Sequence, residues 1–123
     1  MPEVRQVEAI RDEERALAPF PGSTRLSERL ADNYAGTAPA LDVCWQAPAT
    51  YRDVVAYFQR ALPETKWRVI RAAADGQLSA ERNQVRLLVH PPDDRAVRGL
   101  ACPADTTYTL SYTLTLTREP PRP

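Results

Sequence analysis

From Tyr51 to Leu62, the apolar residues Tyr51, Val54, Val55, Phe58 and Leu62 recur at steps of three and four. That spacing draws one stripe down a helix, with Arg52, Asp53, Gln59 and Arg60 lying off it. Thr50 is placed to cap the first turn, and Asp53, three residues later, makes a short capping box. Pro63 is expected to end the helix, so the element should run over about residues 50–62. Burying the five stripe side chains is worth about 10 kcal/mol before entropic costs.

Most of the remaining pattern has a period of two. Leu41, Val43 and Trp45 share one side of a strand over 41–47; Asp42, Cys44 and Gln46 share the other. The strictest alternation comes last. Tyr108, Leu110, Tyr112, Leu114 and Leu116 interleave with Thr109, Ser111, Thr113, Thr115 and Thr117. Residues 67–72, 78–82 and 84–90 read as three short strands, with Val85, Leu87 and Val89 inward. Asp75-Gly76 marks the first hairpin turn and Arg82-Asn83 a tighter second one. A less regular strand covers 23–30, with Leu26 and Leu30 on one side.

The first seventeen residues are different. Val4, Val7, Ile10 and Leu17 sit among many charges, so a helix there has a thin apolar face. Glu8 with Arg11, and Asp12 with Arg15, are spaced for i,i+3 ion pairs. Such a helix is expected to dock weakly or to stand as a stalk. Pro19-Phe20-Pro21-Gly22 breaks it with a rigid approach and a turn.

The element order is therefore α-β-β-α-β-β-β-β. It predicts a two-layer α+β fold with a mostly antiparallel sheet of about five to six strands. One main amphipathic helix, 50–62, should cover one face. The other face should be wet with the hydroxyls of the last strand, or covered by the N-terminal segment. Three regions follow: a charged helical or stalk segment at 1–18, one α+β domain at 19–118 and a disordered tail at 119–123.

Composition narrows the classes. A chain of 123 residues suits one domain. Sixteen basic and sixteen acidic residues cancel, which argues against a nucleic-acid binder relying on bulk positive charge. Lys66 is the sole lysine, and the many arginines and alanines look like a coding bias rather than a choice for phosphate. No apolar run approaches the roughly 20 residues of a membrane span.

The candidate chemistry is sparse. Cys44 and Cys102 match no metal spacing and no redox motif. Two readings stay open for them: independent buried thiols, or one disulfide. A bridge would be worth about 4 kcal/mol in the chain-entropy model and would imply an oxidising compartment. His90, the sole histidine, is followed by Asp93 and Asp94 at a strand end, where a solvated turn is expected rather than a metal site. A thiol dyad of His90 with either cysteine is an enzyme alternative. The acids Asp42, Asp53, Glu64 and Glu81 are scattered, and Gly22, Gly36, Gly76 and Gly99 form no phosphate loop. No catalytic residue, metal site or cofactor is assigned. Tyr34, Tyr51, Trp45 and Trp67 are expected in core packing, with a small apolar pocket as the alternative. The hydroxyl row Thr109, Thr113 and Thr115 is the candidate binding surface for a sugar or peptide. Placed at a sheet edge, the last strand would also offer a route to a homodimer.

The run Pro19-Phe20-Pro21-Gly22-Ser23-Thr24-Arg25 resembles the Pro-x-Pro-Gly-Ala/Ser-Thr-Arg opening of an uncharacterised bacterial domain of high-GC actinobacteria and Chloroflexi. Val54-Val55-Ala56-Tyr57-Phe58 and the Leu62 to Trp67 stretch are similar to its helix and its Leu-x-x-x-x-Trp segment. Lys66 departs from the glycine often found before that tryptophan. The likeness covers roughly residues 15 to 117. It implies a lipoprotein-like, membrane-tethered, extracytoplasmic domain whose tether lies outside this chain, and it carries over no catalytic residues.

The expectation is a non-catalytic extracytoplasmic domain, binding or structural at the cell envelope, with an unidentified protein or envelope ligand as partner. The alternatives are a cytosolic dimerising adaptor and a small thiol-dependent enzyme.

Overall fold

The computed structural model describes residues 2–31, 39–73, 76–91, 102 and 111–118. Along the chain come α1 (Pro2–Ala16), β1 (Thr24–Ala31), β2 (Ala40–Gln46), α2 (Tyr51–Glu64), β3 (Arg68–Ala72), β4 (Leu78–Arg82), β5 (Val85–His90) and β6 (Ser111–Arg118). The α+β order matches the periodicity. The strands make one six-stranded sheet, ordered β1-β2-β6-β5-β4-β3, with every neighbouring pair antiparallel. The expected loop at 31–39, the start of the last strand at 108–110 and the tail at 119–123 fall largely or wholly outside the described residues.

β6 lies between β2 and β5, not at an edge, so the edge pairing expected of it has no open backbone to use. Its alternate residues Tyr112, Leu114 and Leu116 face Trp45, Val43 and Leu41 on one side and, from Leu114 on, Val89 and Leu87 on the other. That row is the centre of the core. Val54, Val55, Phe58 and Leu62 of α2 bury against the same face. Thr50 caps α2 by accepting from the Asp53 backbone N–H, as the spacing predicts. The helix runs one residue past Pro63. In the last turn a proline forfeits its own donor, but its carbonyl still accepts from Lys66. Lys66 then takes a left-handed φ of 69°, which turns the chain into β3.

The first helix is not a stalk. Ile10 is fully buried and Leu17 nearly so, in one core with the residues of α2. Both helices therefore cover the same face of the sheet. The thin apolar stripe is supplemented by carboxylates. Glu14 accepts from Arg25 at 2.6 Å, and Glu13 accepts from Asn83 at 2.9 Å. Arg11 pairs with Glu28 on β1 at 3.0 Å, while Asp12 and Arg15 form the expected i,i+3 pair at 3.3 Å.

Two turns show why local sequence works here. At Phe20–Ser23, Pro21 sets φ for the second position and Gly22 supplies φ +80° at the third, closed by Ser23 N–H to the Phe20 carbonyl at 3.0 Å. Tyr112 then fastens this turn to the core. Its hydroxyl donates to Ser23 Oγ at 3.0 Å and accepts from Phe20 N–H at 3.2 Å. Between β4 and β5 the two turn residues are Asn83 and Gln84, at φ 51° and 67°, one place later than the expected Arg82-Asn83. Both need left-handed φ, which asparagine tolerates better than arginine.

Candidate functional site

The face of the sheet away from the helices carries Asp42 and Cys44 on β2, Thr113 and Thr115 on β6 and His90 on β5. This is the face expected to be wet or covered by the N-terminal segment, which lies on the helix face instead. All five are buried, at 6% exposure or less except Thr115 at 7%. Cys102 is brought to this face: it is itself buried and forms a disulfide with Cys44. Of the two open readings for the cysteines, the bridge is the one the structure takes.

The hydroxyl row is thus not an open surface. Thr113 lies 3.5 Å from Cys102 Sγ, and Thr115 joins a buried chain of polar contacts. Thr109 lies outside the described residues. A threonine on a central strand is read as wet because nothing local shows that Cys102 meets it.

That polar chain was not visible in the sequence. Thr115 Oγ1 donates to Asp42 Oδ1 at 2.5 Å, and His90 Nε2 lies 2.8 Å from the same Thr115 oxygen. The other ring nitrogen, Nδ1, lies 3.0 Å from the Pro91 carbonyl, which can only accept. One threonine hydroxyl thus stands between the imidazole and the Asp42 carboxyl group. His90 is buried and meets Thr115 and Pro91, rather than standing in a solvated turn; Asp93 and Asp94 lie outside the described residues.

Nor does the arrangement make a thiol dyad. Both sulfurs are consumed by the bridge, and no free cysteine remains. Among the described residues no group of three His, Cys, Asp or Glu is placed to hold a metal ion. Within that same set no helix is long and apolar enough to cross a membrane.

The aromatic residues serve the helix face. Trp67 is buried, Trp45 stacks on Tyr112 with ring centres 6.4 Å apart, and Arg25 lies over the Trp45 ring at 5.9 Å. The Tyr51 hydroxyl lies within hydrogen-bonding reach of the carbonyls of Gly76 and Val89, which share its one proton, tying α2 to the end of the sheet. Tyr34 lies outside the described residues. Burial pushes the Tyr112 hydroxyl above its ordinary pKa, against the opposing pull of its bonds to Ser23 and Phe20. Tyr57 is raised as well, by burial first and by the charge of Glu64 second.

Compared with protein-family profiles, with curated proteins and with solved structures, the chain matches none of them significantly.

Proposed function

We propose that this protein is a non-catalytic domain working outside the reducing cytoplasm, in a binding or structural role at the cell envelope. One observation supports this reading above the others: the Cys44–Cys102 bridge, which holds a buried polar layer in place. Disulfides persist in oxidising compartments and are rare in the cytosol. The sulfurs serve architecture here, since the side chains around them engage one another rather than an open cleft. The resemblance in the Pro19 to Arg25 run adds a membrane tether outside these residues.

The test is the intact mass of unreduced protein, purified from an oxidising compartment and denatured in a thiol-alkylating reagent. The expected result is no alkylation and a mass two hydrogens below the reduced protein. Two alkylated cysteines that mild oxidant also fails to join would overturn the reading. It would then favour a cytosolic module whose dimer uses β1 or β3, the strands at the sheet edges.

A further inference from the structure

The polar side chains of the outer face stand on two neighbouring rungs of the sheet. Cys44, Thr113 and His90 share one, across β2, β6 and β5. Arg29, Asp42, Thr115 and Leu88 share the next, across β1, β2, β6 and β5. His90 therefore reaches Thr115 diagonally, and Thr115 reaches Asp42 directly across its own rung. Three strands meet at one hydroxyl, none of the three residues being more than 7% exposed.

A count of protons shows what this chain of contacts requires. The Pro91 carbonyl has no proton to give, so the contact at 3.0 Å needs one on Nδ1. The Thr115 hydroxyl has one proton and two polar neighbours, so one of its contacts needs a proton from elsewhere. With Thr115 donating to Asp42, Nε2 supplies it and the ring is doubly protonated. With Thr115 donating to Nε2, the Asp42 carboxyl supplies it and the ring is neutral. Both orders hold the same number: one proton more than a neutral imidazole beside a carboxylate. Without that proton, one of the three contacts sets lone pair against lone pair, and a buried polar contact left unmade is costly.

We propose that Asp42, Thr115 and His90 form one proton-operated latch across β2, β6 and β5. With its proton in place every contact is made; when the proton passes to bulk water, one of them opens. The outer face is thus held more firmly at acidic than at alkaline pH. The two titratable side chains act as a pair, so the proton belongs to neither alone. Among the described residues, two other charged groups lie on this face of the adjoining strands. Arg29 stands opposite Asp42 on β1, and its charge favours the carboxylate, which draws the shared proton toward the imidazole. Arg86 lies along β5 from His90, beyond Leu88. The latch needs no particular compartment, so it goes beyond the reading above and does not depend on it.

His90 is the sole histidine, so its ring gives a single set of signals. The experiment follows the ring nitrogen and proton resonances of the whole, disulfide-bonded chain from about pH 5 to 9, together with its folding equilibrium. In the folded protein Nδ1 should keep its proton, and the ring should pass the ordinary histidine value of about 6.5 without titrating. The unfolded chain gives up its proton there while the folded one retains it. The folding constant should therefore fall, by up to about tenfold per pH unit, above that value. Asp42→Asn reads the proton directly. Its amide N–H takes the place of the protonated carboxyl as donor to Thr115, so the contacts are complete with a neutral ring. That variant should lose the fall above pH 6.5, about where the unfolded ring has become neutral too. Three results would overturn the proposal: a ring that titrates at its ordinary value in the folded protein, a neutral ring protonated on Nε2 alone, or the same pH slope in Asp42→Asn as in the unaltered chain. The first two are read on the unaltered chain and decide the matter even where the variant fails to fold.

Discussion

The two faces of the sheet bury their side chains by different means. On the helix face, Leu41, Val43, Leu87, Val89, Leu114 and Leu116 meet two helices, and apolar area is the main support of the layer. On the outer face, Asp42, Thr113, Thr115 and His90 are buried too, yet they are polar. Their enclosure coincides with one covalent link, Cys44–Cys102. Toward β3, away from that link, the outer face is open, with a groove lined by Arg71, Ser79, Arg86 and Leu88. The contrast teaches that burial on one face is distributed over many contacts, whereas on the other it hangs on few.

The largest test of that contrast lies on the helix face. Phe58→Ala removes a side chain at 1% exposure and should cost about 3 to 5 kcal/mol, read by chemical denaturation. Next comes the bridge. Replacing Cys44 and Cys102 together with alanine should cost about 2 to 4 kcal/mol. Hydrogen exchange should then rise first at the outer-face positions around Thr113 and Thr115, with α2 still protected. Equal loss of protection over both faces would erase the distinction drawn between them.

A smaller effect is expected from Thr115→Val. It leaves Asp42 Oδ1 and His90 Nε2 without their shared hydroxyl and should cost about 1 to 3 kcal/mol. Smallest is a pH effect on the helix face. Tyr112 ionises less readily folded than unfolded, because it is buried. Its contribution is therefore complete below pH 10, the ordinary value, and is lost as pH rises through the raised one. Tyr57 acts in the same direction. Alkaline melts should show this slope flattened in Tyr112→Phe, although that variant also loses the bonds to Ser23 and Phe20.

Periodicity made the elements legible because each is a local pattern. The stripe Val54, Val55, Phe58 and Leu62 and the alternation from Ser111 to Leu116 need no knowledge of partners. Strand order is another matter. Cys44 and Thr113 are neighbours across the sheet, and nothing in either segment says so. For the same reason the threonines read as a solvated row. Without Cys102 in place above them, alternation with leucine looks the same for a wet face and a buried polar one. The first helix misled through its charges, which made its apolar face look thin: Glu13 and Glu14 are themselves buried, against Asn83 and Arg25. The open groove was hidden by a single register slip: only the bulge at Ile70 brings Arg71 onto the side of Ser79.

The central place of β6 has a consequence for synthesis. β2 and β5 both leave the ribosome before the strand that must lie between them. Until β6 arrives, β1–β2 and β3–β4–β5 are two fragments, each with an inner border of unpaired backbone and half a core. The nascent chain therefore cannot complete its fold stepwise from the N-terminus. It must keep two sticky borders apart from other chains, then close them in one late event, the point at which a holding chaperone would matter most.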